Sequence, residues 1–452
     1  MENLPSLIWF HNDMSPLGGA QREILTAIPK HKEKWNITFV TLNAPEEVCN
    51  FLKENNIPLI TPKKPWINPK GGLNEMTAKT GRSQLKEWNN LVNDTENNNL
   101  KKSINDADAI LISASGSLEV LSILPTHIPL HAYLIEMHRG LHDDVLHRKI
   151  NGKPIRPLWL TKLMLSYHKR WDKKWHRVLW NRPNTSISSN TPTSARRLAK
   201  AHGWNVIENQ SLAGNYPSRD NECRPGGVGV LWPAVNTTLW SKKASSSELE
   251  SWENFELKPT GEYLVTVGRA SYMKASLDAL RIAKNSELPL VHIGGGNTEE
   301  LKKEASKISA ELIVMPRISN EEITALIRNS TALIAIAHGE GFGLTPMEAI
   351  LVGTPALVVD EAGFTHTITD NENGKRLPWP NNSENMNSWN EAIIQAKIDV
   401  NRIKWSENGR KRIEERWTPQ FQSESLARAM KDLGVDVTID PNLKILPGLD
   451  PA

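Results

Sequence analysis

At 452 residues the chain is long enough for two domains or more, each burying its own core. With 39% hydrophobic and 23% charged residues it reads as a globular protein, and a formal net charge of +3 is too weak a bias to argue for nucleic acid. The two cysteines, Cys49 and Cys223, lie far apart without metal-ligand spacing, which argues against a disulfide framework and favours a reducing compartment.

In chain order, "MENLPSLIWFHND" carries an acidic residue and only a short apolar run, so it does not read as a signal peptide. No window approaches the ~20 apolar residues of a spanning helix, and the expected location is the cytoplasm. "SLIWF" (6–10) is the first strand expectation. It runs into "FHNDMSPLGGAQREI" (10–24), where Gly18 and Gly19 stand at a helix start and favour an anion there. "ITFVTL" (37–42) is the next strand, followed by a polar insertion over 62–106 with a helix expected in its second part. "DAD" (106–108) precedes the strand "AILIS" (109–113) and reads as a turn. "LHAYLIE" (130–136) is a strand that leads to His138 in "LIEMHRG".

Residues 158–180 form a helical pattern with an expected apolar stripe of Leu160, Met164, Tyr167, Trp171, Trp175 and Val178. The other face carries Lys162, Lys169, Arg170, Lys173, Lys174 and Arg177. Such a helix packs into its own domain or lies on an anionic membrane; the first is expected, and peripheral membrane contact is the lesser expectation. "TSISS" (185–189) closes the first half, and the turn-rich stretch 214–227 is the linker candidate.

The second half repeats the scheme. "YLVTV" (263–267), "PLVHI" (289–293), "ELIVM" (311–315), "ALIAI" (332–336) and "PALVV" (355–359) recur every 21 to 26 residues with helical patterns between, which is the spacing of parallel βαβ units. The fold class expected is therefore α/β, with two doubly wound domains and ligands at the carboxyl ends of the strands. Arg269 and Lys274, in "VGRASYMK", can clamp a diphosphate at such a strand end, while the plainer reading of the pair alone is a surface arginine and lysine in an exposed loop. "HIGGGNTEEL" (292–301) offers a weaker anion turn. In "HGEGFGLTPMEAILVGTP" (338–355), Gly341 and Gly343 let the backbone approach a phosphate while Glu340 and Glu348 accept hydrogen bonds from hydroxyls. Glu348 has a plainer reading as well: "TPME" spells a capping box, with Thr345 as N-cap. "TPQFQSESLARAMKDL" (418–433) is a terminal helix with Pro419 at its first position and Gly434 after it.

These elements, in this order and spacing, resemble the retaining glycosyltransferases of GT-B fold, glycosyltransferase family 4. The resemblance rests on Glu340-x(7)-Glu348, on Gly268, Arg269 and Lys274, on the loop Gly18–Gly19, and on His138. It implies two Rossmann-like domains facing across a cleft, with boundaries expected at 1–225, 226–404 and 405–452, the last returning to the first domain. It implies that Arg269 and Lys274 hold a donor diphosphate, Glu348 the ribose, and Glu340 the transferred sugar. The amides of Phe342, Gly343, Leu344 and Thr345 would contact sugar and phosphate, and Pro316–Arg317 would lie against the base. His338 and Gln21 depart from the residues usual in the family at those places.

The activity expected is sugar transfer from a UDP-, GDP- or ADP-sugar to an unknown acceptor with retention of configuration, with no metal and no cofactor. The rivals are an epimerase or phosphorylase of the same fold and a non-catalytic nucleotide-sugar binding module.

Overall fold

The computed structural model describes residues 4–69, 71–94, 99–113, 118–207 and 216–443. The chain divides into two compact units. The first comprises the described residues within 4–143, 157–234 and 419–443, and the second 144–156 and 235–418. The sequence boundary at 225/226 and the division at 234/235 differ because the turn-rich stretch is folded into the first unit. Residues 216–227 of that stretch are described: the amides of Asn184 and Thr185 donate to the carbonyls of Glu222 and Cys223, and Ser218 bridges Pro225. A short strand then follows.

The first unit is a seven-stranded sheet of β1 (Ser6–His11), β2 (Asn36–Thr41), β3 (Leu59–Ile60), β4 (Ala109–Ser113), β5 (Leu130–Tyr133), β6 (Thr185–Ser189) and β7 (Val228–Val230). Its order is β3-β2-β1-β4-β5-β6-β7, with every pairing parallel. β4, β5 and β6 are buried along their whole length, as parallel strands covered on both faces must be. The edge strands β3 and β7 are too short to carry a periodic signal, which is why only the structure reveals them.

The polar insertion folds as the helices Gly72–Met76, Lys79–Asn93 and Leu100–Asn105. Trp88, 1% exposed, meets the edge of Phe10 with ring centroids 5.8 Å apart. Residues 95–98 lie outside the described chain.

The helix Pro419–Asp432 belongs to the first unit. Leu426, Ala427 and Met430 enter the same core as Leu7, Ile24, Ile28 and Trp35. Beside them Gln422 donates to the buried Glu23 carboxylate and to the carbonyl of Trp232 (3.0 Å).

The expected single helix over 158–180 breaks into Leu158–Met164 and Ser166–Asn181, and its buried stripe is displaced. On the second helix the buried residues are His168, Asp172, Trp175, His176 and Leu179, while Tyr167 and Val178 are 47% and 41% exposed. Polar residues occupy part of this inward face, where Asp172 accepts from His142 (2.8 Å) and His176 donates to the Asp172 carbonyl (2.9 Å), so apolar periodicity misplaced it. Trp159 and Leu163 are exposed, 68% and 64%. Among the described residues no helix is long and apolar enough to cross a membrane.

The second unit is a six-stranded sheet of β8 (Leu264–Val267), β9 (Leu290–Ile293), β10 (Leu312–Met315), β11 (Ala332–Ala335), β12 (Ala356–Val359) and β13 (Lys375–Leu377). The order is β10-β9-β8-β11-β12-β13, all parallel. The strand order reverses between β8 and β11. In open α/β sheets that switch point leaves a crevice at the carboxyl ends, where ligands bind.

Candidate active site

The loops after β8 and β11 stand side by side at this switch point. After β8 comes Gly268 at φ +142°, a conformation an L side chain rarely adopts, and its N–H donates to the carbonyl of Ile293 (2.9 Å). Arg269 follows, exposed, and among the described residues its guanidinium makes no ion pair. Ser271 accepts the N–H of Lys274 (3.2 Å), turning the chain into the helix Ser276–Asn285.

The triple glycine of the sequence serves this loop. A Cβ on Gly294 would fall 2.3 Å from the carbonyl oxygen of Gly268, and one on Gly296 would fall 2.7 Å from that of Ala270. Ala270 donates to Gly295 (2.7 Å) and Asn297 to Ala270 (2.8 Å), so the β9 loop is laced to the β8 loop by backbone alone.

After β11 the chain turns at Gly339 (φ +62°) and again at Gly343 (φ +92°). Glu340 lies between these turns and forms an ion pair with Lys274. Both side chains keep solvent contact, 20% exposed for Glu340 and 32% for Lys274. The pair joins the carboxylate expected on the sugar to the ammonium expected on the diphosphate.

Gly343 is the N-cap of the helix Leu344–Val352, with no side-chain cap. Thr345 is therefore inside the helix, and the capping box read from "TPME" does not form. Glu348 sits in the second turn, 6% exposed, too far along to cap the first. The left-handed glycine begins the helix before threonine can. By position, the amides of Gly343, Leu344 and Thr345 have no partner within the helix and point out of its positive end. Pro316 and Arg317 follow β10 and are exposed. They are two strands from β8, roughly 10 Å at ordinary strand spacing.

Residues that sequence reading passed over hold this arrangement. Glu361 accepts the N–H of Gly339 (2.6 Å) through one oxygen and the indole N–H of Trp379 (2.8 Å) through the other. Gly363 donates to the carbonyl of Glu340 (2.9 Å), and its own Cβ would sit 2.2 Å from the carbonyl oxygen of Gly341. His338 is stacked between Tyr272 (4.5 Å) and Trp379 (4.3 Å), and the Arg148 guanidinium lies 5.5 Å from the Tyr272 ring centre. A cavity of about 610 Å³ opens against this stack, lined by Tyr272, Asp278, Arg281, His338, Trp379 and Asn382 among others. The glutamate and glycine of "DEAGF", directly after β12, were a strand-end signal of the same kind as "HGEGFG". Nothing in the sequence signalled Arg148, which precedes β8 by more than a hundred residues.

The first unit holds the remaining expected residues. Gly18 is the N-cap of the helix Gly19–His31, and Gly19 is its first residue. The N–H of Gly18 is taken by the Gln21 side chain (3.1 Å), where an acidic residue is usual in the family that the sequence resembles. His138 precedes the short helix Arg139–His142, its ring 5.6 Å from that of His168. Burial lowers its pKa to about 4, so its imidazole is neutral at physiological pH.

Residues 249–412, within the second unit, match the model of the family described as glycosyl transferases group 1. This chain resembles that family over less than half of its length. It is similar to the alpha-1,3/1,6-mannosyltransferase ALG2 of Dictyostelium discoideum, 26% identical over 259 residues, 50% of this chain and 61% of that protein. The chain thus spans less than two thirds of that relative.

Two solved structures share the fold. A glycosyltransferase from Rickettsia africae gives a TM-score of 0.60 at 12% identity, covering 96% of this chain and all of the other (100%). Anabaena HepE, solved with UDP and glucose, gives 0.58 at 14% identity, covering 95% and 100%. These neighbours make the architecture the GT-B fold, with two Rossmann-like parallel-sheet units.

Proposed function

We propose that this protein is a retaining glycosyltransferase that moves a sugar from a nucleoside diphosphate to an acceptor. The observation that carries this reading is the Lys274–Glu340 pair at the mouths of β8 and β11, beside the exposed Arg269 and the start of the helix Leu344–Val352. Two cations and a helix N-terminus favour a diphosphate, and two glutamates next to it suit sugar and ribose hydroxyls. The match of residues 249–412 to the glycosyl transferases group 1 family supports the reading, as does the similarity to a mannosyltransferase.

In this mechanism the diphosphate displaces Glu340 from Lys274 as it binds, leaving the Glu340 carboxylate to accept hydrogen bonds from the sugar. Glu348 takes the ribose, the amides of Phe342 to Thr345 take sugar and phosphate, and Pro316–Arg317 border the base. As the glycosidic bond breaks, negative charge grows on the leaving diphosphate. Arg269, Lys274 and the helix start stabilise it more than they stabilise the ground state. The diphosphate accepts the proton of an acceptor hydroxyl that attacks from the same face, which retains configuration. Gly18 and Gly19 as donor-binding residues and His138 as a catalytic residue are proposed from the resemblance alone. With cationic side chains on the diphosphate, no divalent ion is required there.

The test is to incubate the full chain with the mannosyl and glucosyl esters of uridine, guanosine and adenosine diphosphate, without added Mg²⁺ or Mn²⁺. Release of nucleoside diphosphate from one of them, faster with an acceptor, is expected. An epimerised donor would show the chain to be an epimerase, and release only with Mg²⁺ or Mn²⁺ would overturn the metal-free site.

A further inference from the structure

Asp172 lies at the centre of a histidine cluster that has no part in the donor site and falls wholly within the first unit. His142 ends the short helix Arg139–His142, Asp172 and His176 stand one turn apart on Ser166–Asn181, and His202 ends Pro192–His202. His142 Nε2 is 2.8 Å from Asp172 Oδ2, and His202 Nε2 is 3.8 Å from the same oxygen. One ligand atom from each of these three residues lies within 4.8 Å of the other two. The side chains are 3%, 4% and 2% exposed for His142, Asp172 and His202.

Hydrogen bonding does not complete the cluster. Both ring nitrogens of His202 are buried without a hydrogen-bond partner. A buried imidazole in that state is costly unless something else takes its lone pair. We propose that His142, Asp172 and His202 bind a divalent transition-metal ion, zinc by preference, with a fourth position open to water.

Bonds of about 2.0–2.1 Å in a tetrahedral site set ligand atoms roughly 3.3–3.4 Å apart. The 2.8 and 3.8 Å separations from the carboxylate oxygen bracket that value, and the two imidazole nitrogens lie within 4.8 Å of each other. Two imidazoles and one carboxylate without a thiolate suit Zn²⁺, whereas Mg²⁺ and Ca²⁺ prefer all-oxygen sets. The surroundings hold the ligands in place. The His176 ring stacks on His202 at 3.7 Å and 11°, and its Nδ1–H donates to the Asp172 carbonyl (2.9 Å) while standing 3.4 Å from Oδ1. Such outer contacts orient metal ligands and raise affinity. The ion would fasten three helices of the first unit to one another.

The test uses the full chain purified without a histidine tag, stripped with chelator and dialysed. Zinc added back is expected to bind at one equivalent and to raise Tm. His202→Asn and His142→Gln should bind at least about tenfold more weakly, while the exposed His127→Asn should match the parent. Cobalt in the parent chain should give a saturable tetrahedral ligand-field spectrum, a readout that stands even if a variant does not fold. A hydrated-ion spectrum with no saturation at one equivalent, or equal zinc affinity in parent and His202→Asn, would overturn the site.

Discussion

Lys274 and Glu340 form an ion pair, and this sets what their substitution should do. Arg269→Ala removes an exposed cation, and nucleoside diphosphate binding, read by calorimetry, should weaken roughly tenfold or more, the worth of a charge-assisted contact. Lys274→Ala should cost a similar factor and also leave Glu340 without its ammonium, adding a nearby negative charge that repels the diphosphate. Unchanged binding in either variant would return that residue to an ordinary surface role. At position 348 the structure removes the cap from consideration, because Gly343 opens the helix. Glu348→Gln keeps the shape of the buried side chain, so Tm should hold within a degree or two. Donor affinity should fall, since a neutral amide accepts hydrogen bonds about half as strongly as a carboxylate. Parent-like donor binding and turnover in that variant would remove Glu348 from the site.

At the scale of the element, the turn after β11 owes its shape to close backbone contact with the loop after β12. Gly363→Ala places a methyl carbon 2.2 Å from the Gly341 carbonyl oxygen, and backbone cannot give way as a flexible side chain can. The variant should lose on the order of 1–3 kcal/mol by denaturant unfolding. Turnover should fall further than stability implies, because Gly363 also holds the carbonyl of Glu340. A variant as stable and active as the parent would show that the two loops move independently. Element positions were legible from sequence where an apolar run was long enough to be periodic, as in "AILIS" and "PALVV". They were not legible in β3, of two residues, or in β7 and β13, of three each, where pairing to a neighbour supplies what sequence periodicity cannot.

Across the whole molecule, chain ends meet at Glu23. Burial raises its pKa to about 7, against the opposing hydrogen bonds from Gln422 and the Ala234 amide. A carboxyl whose folded pKa exceeds its unfolded value of 4.5 binds more protons in the folded state between those values, so folding stability declines as pH rises from 4.5 to 7 and levels off above. Glu23→Gln should abolish that part of the slope, on the order of 3 kcal/mol by linkage. Neighbouring His31, lowered by burial to about 4, works in the opposite direction, losing stability as pH falls from 6.5 to 4. The difference between parent and Glu23→Gln, measured as Tm across pH, isolates the glutamate. Parallel curves would mean that Glu23 is ionised in the folded chain throughout.

The sequence alone determined two parallel α/β sheets, the strands at their centres, and the motifs after β8 and β11, because each of these is written in contiguous residues. Buried parallel strands need unbroken apolar runs, and phosphate-binding turns need glycines at strand ends. Only tertiary structure decided which side chains meet across those turns. Lys274 and Glu340 are 66 positions apart, and Glu361 reaches both Gly339 and Trp379. The same holds for the inward face of Ser166–Asn181, where His168, Asp172 and His176 stand in place of an apolar stripe. Their partners His142 and His202 come from other helices, and no local pattern in the chain announces a polar cluster whose members are brought together only by packing.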